Sequence, residues 1–327
     1  MTTNYSFATA FIMVLCHTMF LQAQINFGNQ SVITNAANSA RDVFAADLDG
    51  DGDNDVLSAS FGDDKIAWYQ NDGTGNFGTQ QIITTSATDT NSVYAIDLDG
   101  DGDIDVLSTS PTDNEVTWYK NNGSGGFGAP QLIDGAASGA NSVFATDLDG
   151  DTDLDILACL ETSDLVVWYE QTSSGTFGPQ QSLNQGAFFD NPSDVYAADL
   201  DGDGNNEVLS TSISSTSGYI SFHDNTGGGT FGTEQMLIII NDVTSLHVAD
   251  LDGDTHNDIM VITDGANSGT SEVAWFANDG TGSFGPKQVI SSSVLIGLDI
   301  FSADLDGDGD QDVVSASFDF TNGKLAW

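Results

Sequence analysis

Apolar and polar residues alternate along this chain in short runs, and no stretch keeps the 3.6-residue period of an amphipathic helix. Val43-Phe-Ala-Ala46 alternates, Val56-Leu-Ser-Ala-Ser60 follows an acidic loop, and Lys65-Ile-Ala-Trp-Tyr69 comes next. Gln80-Gln-Ile-Ile83 closes the set after an Asn71-Asp72-Gly73 turn. Four short strands separated by turn residues are therefore expected here, and the same set returns along the chain.

The phrase Asp-Leu-Asp-Gly-Asp begins at Asp47, Asp97, Asp147, Asp199, Asp250 and Asp304, at spacings of 50, 50, 52, 51 and 54 residues. Phe-Gly recurs at Phe27, Phe77, Phe127, Phe177, Phe231 and Phe284. Trp followed by an aromatic appears at Trp68, Trp118, Trp168 and Trp275, becomes Phe222-His223 in the fourth copy, and Trp327 ends the chain. Four strands in a repeat of about 50 residues predict an all-β fold, a β-propeller of four-stranded blades with six repeats. Small residues two before each loop (Ala45, Ala95, Ala145, Ala197, Val248, Ser302) suit the innermost strand, where blades crowd the central channel. The recurrent Trp is expected to fill blade interfaces rather than to offer a ring of sugar-stacking platforms.

Blade closure follows from the ends. Asn26-Phe-Gly-Asn-Gln-Ser-Val-Ile-Thr34 matches Asn76-Phe-Gly-Thr-Gln-Gln-Ile-Ile-Thr84, so the N-terminal side supplies a fourth strand without the first three. The C-terminal side supplies three strands without a fourth. Pairing the two closes a six-bladed ring and removes the last open edges. The alternative is a fragment of a seven-bladed propeller, because Trp327 stops where every other copy runs on.

Phe7 to Leu21 is an apolar run too short to span a bilayer, followed by Gln22-Ala23-Gln24. Residues 1–23 are read as a signal peptide and residues 24–327 as the propeller, secreted or displayed on the cell surface, with no transmembrane segment. Cys159 is then the one cysteine of the mature chain, and no internal disulfide is expected. The 49 acidic side chains face five basic ones, Arg41, Lys65, Lys120, Lys287 and Lys324, for a formal charge of −44. That field repels phosphate and disfavours nucleic acid or an anionic membrane as partner.

Of the 49 acids, 28 fall into six nine-residue loops, which fixed spacing alone marks as something other than a solvated surface. Loop one runs Asp47-Leu-Asp49-Gly-Asp51-Gly52-Asp53-Asn-Asp55. Carboxylates at positions 1, 3, 5 and 9, a carbonyl at 7 and Gly at 6 converge hard oxygen ligands on one point, which suits Ca²⁺. Loop two repeats this with Asp97, Asp99, Asp101, Asp103 and Asp105, and loop six with Asp304, Asp306, Asp308, Asp310 and Asp312. Loop three has Asp147, Asp149, Asp151, Asp153 and Asp155, with Thr152 at position 6. Loop four has Asp199, Asp201, Asp203, Asn205 and Glu207; loop five has Asp250, Asp252, Asp254, His256 and Asp258, with Thr255 at position 6. Up to six Ca²⁺ ions are expected, one per repeat. An EF-hand is excluded, since the flanks are strands and position 12 is never Glu, while zinc lacks spaced His or Cys.

Asp-x-Asp-x-Asp-Gly-x-x-Asp between strands, with Phe-Gly once per blade, resembles the FG-GAP or VCBS repeat family, related to the propeller head of integrin α-subunits. The resemblance covers Asn26 to Trp327, and the full Phe-Gly-Ala-Pro stands at Phe127–Pro130. It implies Ca²⁺ on the loop between the first and second strands of each blade. It also implies an adhesion-like, non-catalytic module, expected to be a monomer, that binds a protein or a polysaccharide. The rival class is the propeller domain of a secreted polysaccharide lyase or hydrolase. Against it, His223, His247 and His256 stand beside no recognisable nucleophile motif. Copy four, with Phe222-His223 and the Ser210 to Gly218 insertion, is the expected place for a specific pocket.

Overall fold

The structure is a computed structural model that describes residues 32–183, 191–213, 218–240, 243–263, 271–294, 297–305, 311–319 and 322–326. The described strands form six four-stranded antiparallel sheets, each ordered as a meander from the inside out. Blade one comprises Ala40–Ala46, Asp55–Ser60, Lys65–Tyr69 and Gln81–Thr84. Blades two to five repeat it from innermost strands Ser92–Ile96, Ala140–Thr146, Pro192–Ala198 and Val243–Ala249. Blade six takes Gly297–Ala303, Asp312–Asp319 and Asn322–Ala326 from one end of the chain and Val32–Thr34 from the other, with Val32 opposite Ala326. The innermost strands touch their neighbours all the way round, sixth to first included. The expected signal peptide and residues 214–217 of the copy-four insertion lie outside the described residues.

The second strands of blades one to three, Asp55–Ser60, Asp105–Ser110 and Asp155–Leu160, are buried along their whole length, because a blade has a neighbour on both faces. Period-2 geometry then decides where the paired aromatics go. Trp68 packs into the core shared with blade two and Tyr69 into the core shared with blade six. Six such interface cores are present among the described residues. Trp68, Trp118 and Trp168 lie against Gly125, Gly175 and Gly229 of the following blade, where a Cβ would crowd the indole. Their role is packing, as expected. In blade four, Phe222 packs in the interface with blade five and His223 is fully buried, its Nδ1 3.1 Å from the Gly232 carbonyl.

The channel is closed by chemistry the sequence does not advertise. Phe44, Tyr94, Phe144, Tyr196, His247 and Phe301, one per blade, form a closed ring with centroids 4.1 to 5.4 Å apart. Two residues earlier on the same strands stand Asp42, Ser92, Ser142, Asp194, Ser245 and Asp299, lining a cavity of about 260 Å³ above that plug. Bulges at Ala40/Asp42, Ala140/Ser142, Pro192/Asp194, Val243/Ser245 and Gly297/Asp299 aim these side chains inward.

Candidate metal centres in the acidic loops

Each acidic loop joins the innermost strand of a blade to the second, so strand geometry fixes both of its ends. In loop one, Asp47 accepts the N–H groups of Gly50 (2.8 Å), Asp51 (3.1 Å) and Gly52 (3.0 Å), which coils the backbone around its carboxylate. The coil needs a left-handed residue at position 6, supplied by Gly52 (φ 98°), Gly102 (92°) and Gly204 (93°). Thr152 (φ 80°) and Thr255 (76°) take the same conformation at a steric cost.

Position 9 is the anchor. Asp55 accepts Leu48 N–H at 3.1 Å and Asn71 N–H at 2.8 Å, tying the loop to its own blade's hairpin. The same contacts recur at Asp155 and Asp258. Burial pushes Asp55 and Asp155 up to about 7 and Asp258 to about 6, against those N–H donors and reinforced by the neighbouring loop carboxylates. Glu207 and Asp105 rise to about 7 and 6 for the same first cause.

In five loops the side-chain oxygens converge to within 4.8 Å of one another: Asp47, Asp49 and Asp55; Asp97, Asp99 and Asp101; Asp147, Asp149 and Asp155; Asp199, Asp201 and Asp203; Asp250, Asp252 and Asp254. Position 7 stays outside these groups. Asp53 and Asp103 lie against Gly73 and Gly123, Asn205 beside Gly227, and the His256 ring against Gly280, which leaves the main-chain carbonyl as that position's expected ligand. Residues 306–310 of loop six lie outside the described residues.

The donor set fits a hard divalent cation. It is all oxygen, and buried Asp99 Oδ1 and Glu207 Oε1 have no hydrogen-bond partner. Uncompensated carboxylates at this separation repel one another by on the order of 1 kcal/mol or more per pair. A divalent charge would remove that repulsion.

Sequence reasoning missed the residues that hold each loop from the neighbouring blade. Asn121 Nδ2 donates to the Leu48 carbonyl of loop one at 2.8 Å and to its own Ile104 carbonyl at 2.7 Å. Asn71, Gln171, Asn225 and Asn278 reach Leu305, Leu98, Leu148 and Leu200 in the same way. Ser174 Oγ adds a bond to the Asp99 carbonyl (2.7 Å) and Gly228 N one to Asp149 (3.1 Å). An amide side chain two residues after each aromatic pair, or after Phe222-His223 in blade four, was the available signal.

The FG-GAP-like repeat family matches residues 47–108, 97–158, 147–210, 199–261 and 250–315. Each match runs from one acidic loop to just past the next, so five matches bracket six loops. No curated protein matches the sequence. Among solved structures, the chain is similar to an Agrocybe aegerita lectin described as recognising non-reducing terminal N-acetylglucosamine. Identity is 21%, over 84% of this chain and 73% of that one, with a TM-score of 0.55. It is also similar to BBS1N in its complex with ARL6DN, at 9% identity over 92% and 96% of the two chains, TM-score 0.55. Against the Photorhabdus luminescens Tc holotoxin pore the values are 17% identity and 0.54, over 92% of this chain and 14% of that one. At these identities the likeness is one of fold.

Proposed function

The chain belongs to the FG-GAP-like repeat family, and from that premise we propose a calcium-stabilised extracellular propeller that binds a protein or polysaccharide without catalysing its turnover. One observation carries the reading. An oxygen-only cluster of three carboxylates recurs at the same place in five successive blades. In each loop, positions 1, 3, 5 and 9 and the carbonyl of position 7 would hold Ca²⁺, whose charge balances carboxylates that otherwise repel. Secretion rests on the apolar run from Phe7 to Leu21, which the sequence supports.

Kinship of fold with a lectin favours a glycan as partner. Histidine chemistry is poorly placed for a lyase or hydrolase. Burial holds His247 down at about 3 within the aromatic plug, and it lowers the buried His223. The direct test is a glycan and matrix-protein array probed with the full chain in millimolar Ca²⁺ and in EDTA. Calcium-dependent binding without product release is expected; release of reducing ends or unsaturated sugars would overturn the non-catalytic reading.

A further inference from the structure

One equivalent place, immediately after the aromatic pair that ends each third strand, is occupied by Gln70, Lys120, Glu170, Asp224 and Ala277 in blades one to five. The first two reach into their own blade's acidic loop. Gln70 Nε2 lies 2.6 Å from Asp49 Oδ2 and 3.5 Å from Asp51 Oδ2. In blade two the same reach delivers a positive charge: Lys120 Nζ contacts Asp99 Oδ2 and lies 3.0 Å from Asp101 Oδ2. In blade three Glu170 adds a negative charge felt by Asp149.

We propose that this residue sets the cation affinity of the loop beside it, with Lys120 a tethered competitor that weakens loop two. The inference rests on the calcium reading above and deepens it. Positions 3 and 5 are ligand positions, so a metal entering loop two must break both ammonium contacts and return Lys120 to water. The competitor does not fill the site. A single ammonium leaves buried Asp99 Oδ1 without a partner, and Asp97, Asp99 and Asp101 remain converged around space only a divalent ion satisfies. With Lys120 39% exposed, solvent screens both contacts, which limits the weakening of loop two relative to loop one to roughly tenfold.

The test is an NMR titration of the full chain with CaCl₂, following the Gly52 and Gly102 amides as reporters of loops one and two. In the wild type, Gly102 should respond at roughly tenfold higher calcium than Gly52. Lys120→Gln should bring the two midpoints together, and Gln70→Lys should move Gly52 to higher calcium while leaving Gly102 in place. Midpoints that Lys120→Gln leaves unchanged, or a loop two that fills before loop one in the wild type, overturn the proposal. If both glycines respond but the charge swaps do nothing, only this inference fails; if neither responds in any variant, the calcium reading fails with it.

Discussion

Asp42 of blade one and Asp299 of blade six hold the same backbone N–H between them: Val43 N lies 2.6 Å from Asp42 Oδ1 and 2.8 Å from Asp299 Oδ2. The two carboxyls converge on one N–H, and the charge on Asp42 makes Asp299 harder to ionise. Burial pushes Asp42 up to about 6 and Asp299 well above the ordinary carboxyl range, where the Asp42 charge adds to it. Asp194, in the same ring, rises to about 7 through burial and then through Asp299. Arg41 and Glu161 at the cavity mouth and His247 in the plug beneath complete the ionisable surroundings.

An acid harder to ionise in the fold than in the unfolded chain holds its proton more tightly when folded. Its contribution is full below the unfolded value near 4 and drains away as pH rises through the folded value. At saturating calcium, stability should therefore fall by several kcal/mol between pH 5 and pH 8, since each of the three acids contributes about 1.4 kcal/mol per pH unit until it ionises in the fold. Asp299→Asn removes one of these titrating groups and keeps an oxygen for Ser245 but gives up the acceptor of the Val43 N–H, so it should lower stability overall while flattening that slope. Calorimetry of the two proteins across the range decides it, an unchanged slope counting against Asp299 as a buried titrating group.

Calcium should govern the melting temperature. Binding to a cage that the unfolded chain lacks adds about 1.4 kcal/mol per site for each tenfold excess of ion over the dissociation constant. EDTA should lower Tm markedly, Ca²⁺ should restore it and Mg²⁺ should restore it poorly, since Mg²⁺ dehydrates reluctantly and wants a tighter octahedron. Asp49→Ala and Asp99→Ala should each subtract one ion from the stoichiometry read by titration calorimetry. Identical melting curves in EDTA and in excess Ca²⁺ would falsify the assignment.

Asn121→Ala should destabilise the propeller by about 1–3 kcal/mol, because it strands the carbonyls of Leu48 and Ile104 in a buried place. The side chain touches no loop carboxylate, so calcium stoichiometry should be retained. Denaturant unfolding alongside calcium titration separates the two effects.

Much of this architecture was legible because it repeats. The Asp-Leu-Asp-Gly-Asp phrase, the paired aromatics and the Phe-Gly turns report local requirements that each blade meets for itself, and they placed blades, loops and interface cores. What stayed hidden depends on neighbours. Asp42 and Ser92 stand at equivalent positions without sharing a residue type, and their meaning appears only when the ring brings the N–H of Val93 to Asp42 at 2.7 Å. Asn121 looked like half of a hairpin turn, since its partner Leu48 lies 73 residues away in another blade. Lys120 read as one of five scattered cations until its strand delivered it to Asp99. In blade four the change of residue type at Phe222-His223 was absorbed by packing, while residues 214–217 of the insertion read with it lie outside the described residues.

Thr152→Gly should stabilise the chain by about 0.5–1 kcal/mol, as a left-handed residue with a Cβ costs about 1–2 kcal/mol and the added unfolded-state freedom of glycine returns part of it. Thr255→Gly should behave alike. Thermal melts at saturating calcium measure the gain, and a loss in both variants would show that the threonine side chains contribute contacts that outweigh the strain.

The amide staples all point one way. Asn121 serves the loop of blade one, Gln171 that of blade two, Asn225 that of blade three, Asn278 that of blade four, and Asn71 that of blade six. Five of the six loops are thus gripped by their successors through their own main-chain carbonyls; no such staple on the loop of blade five lies among the described residues. Emptying one loop should loosen the hairpin of the blade that follows and spare the blade before it, a directional wave that amide exchange would record as protection lost on one side only. Among the described residues that dependence begins at the loop of blade six and ends at blade five, although the blades themselves close into a circle.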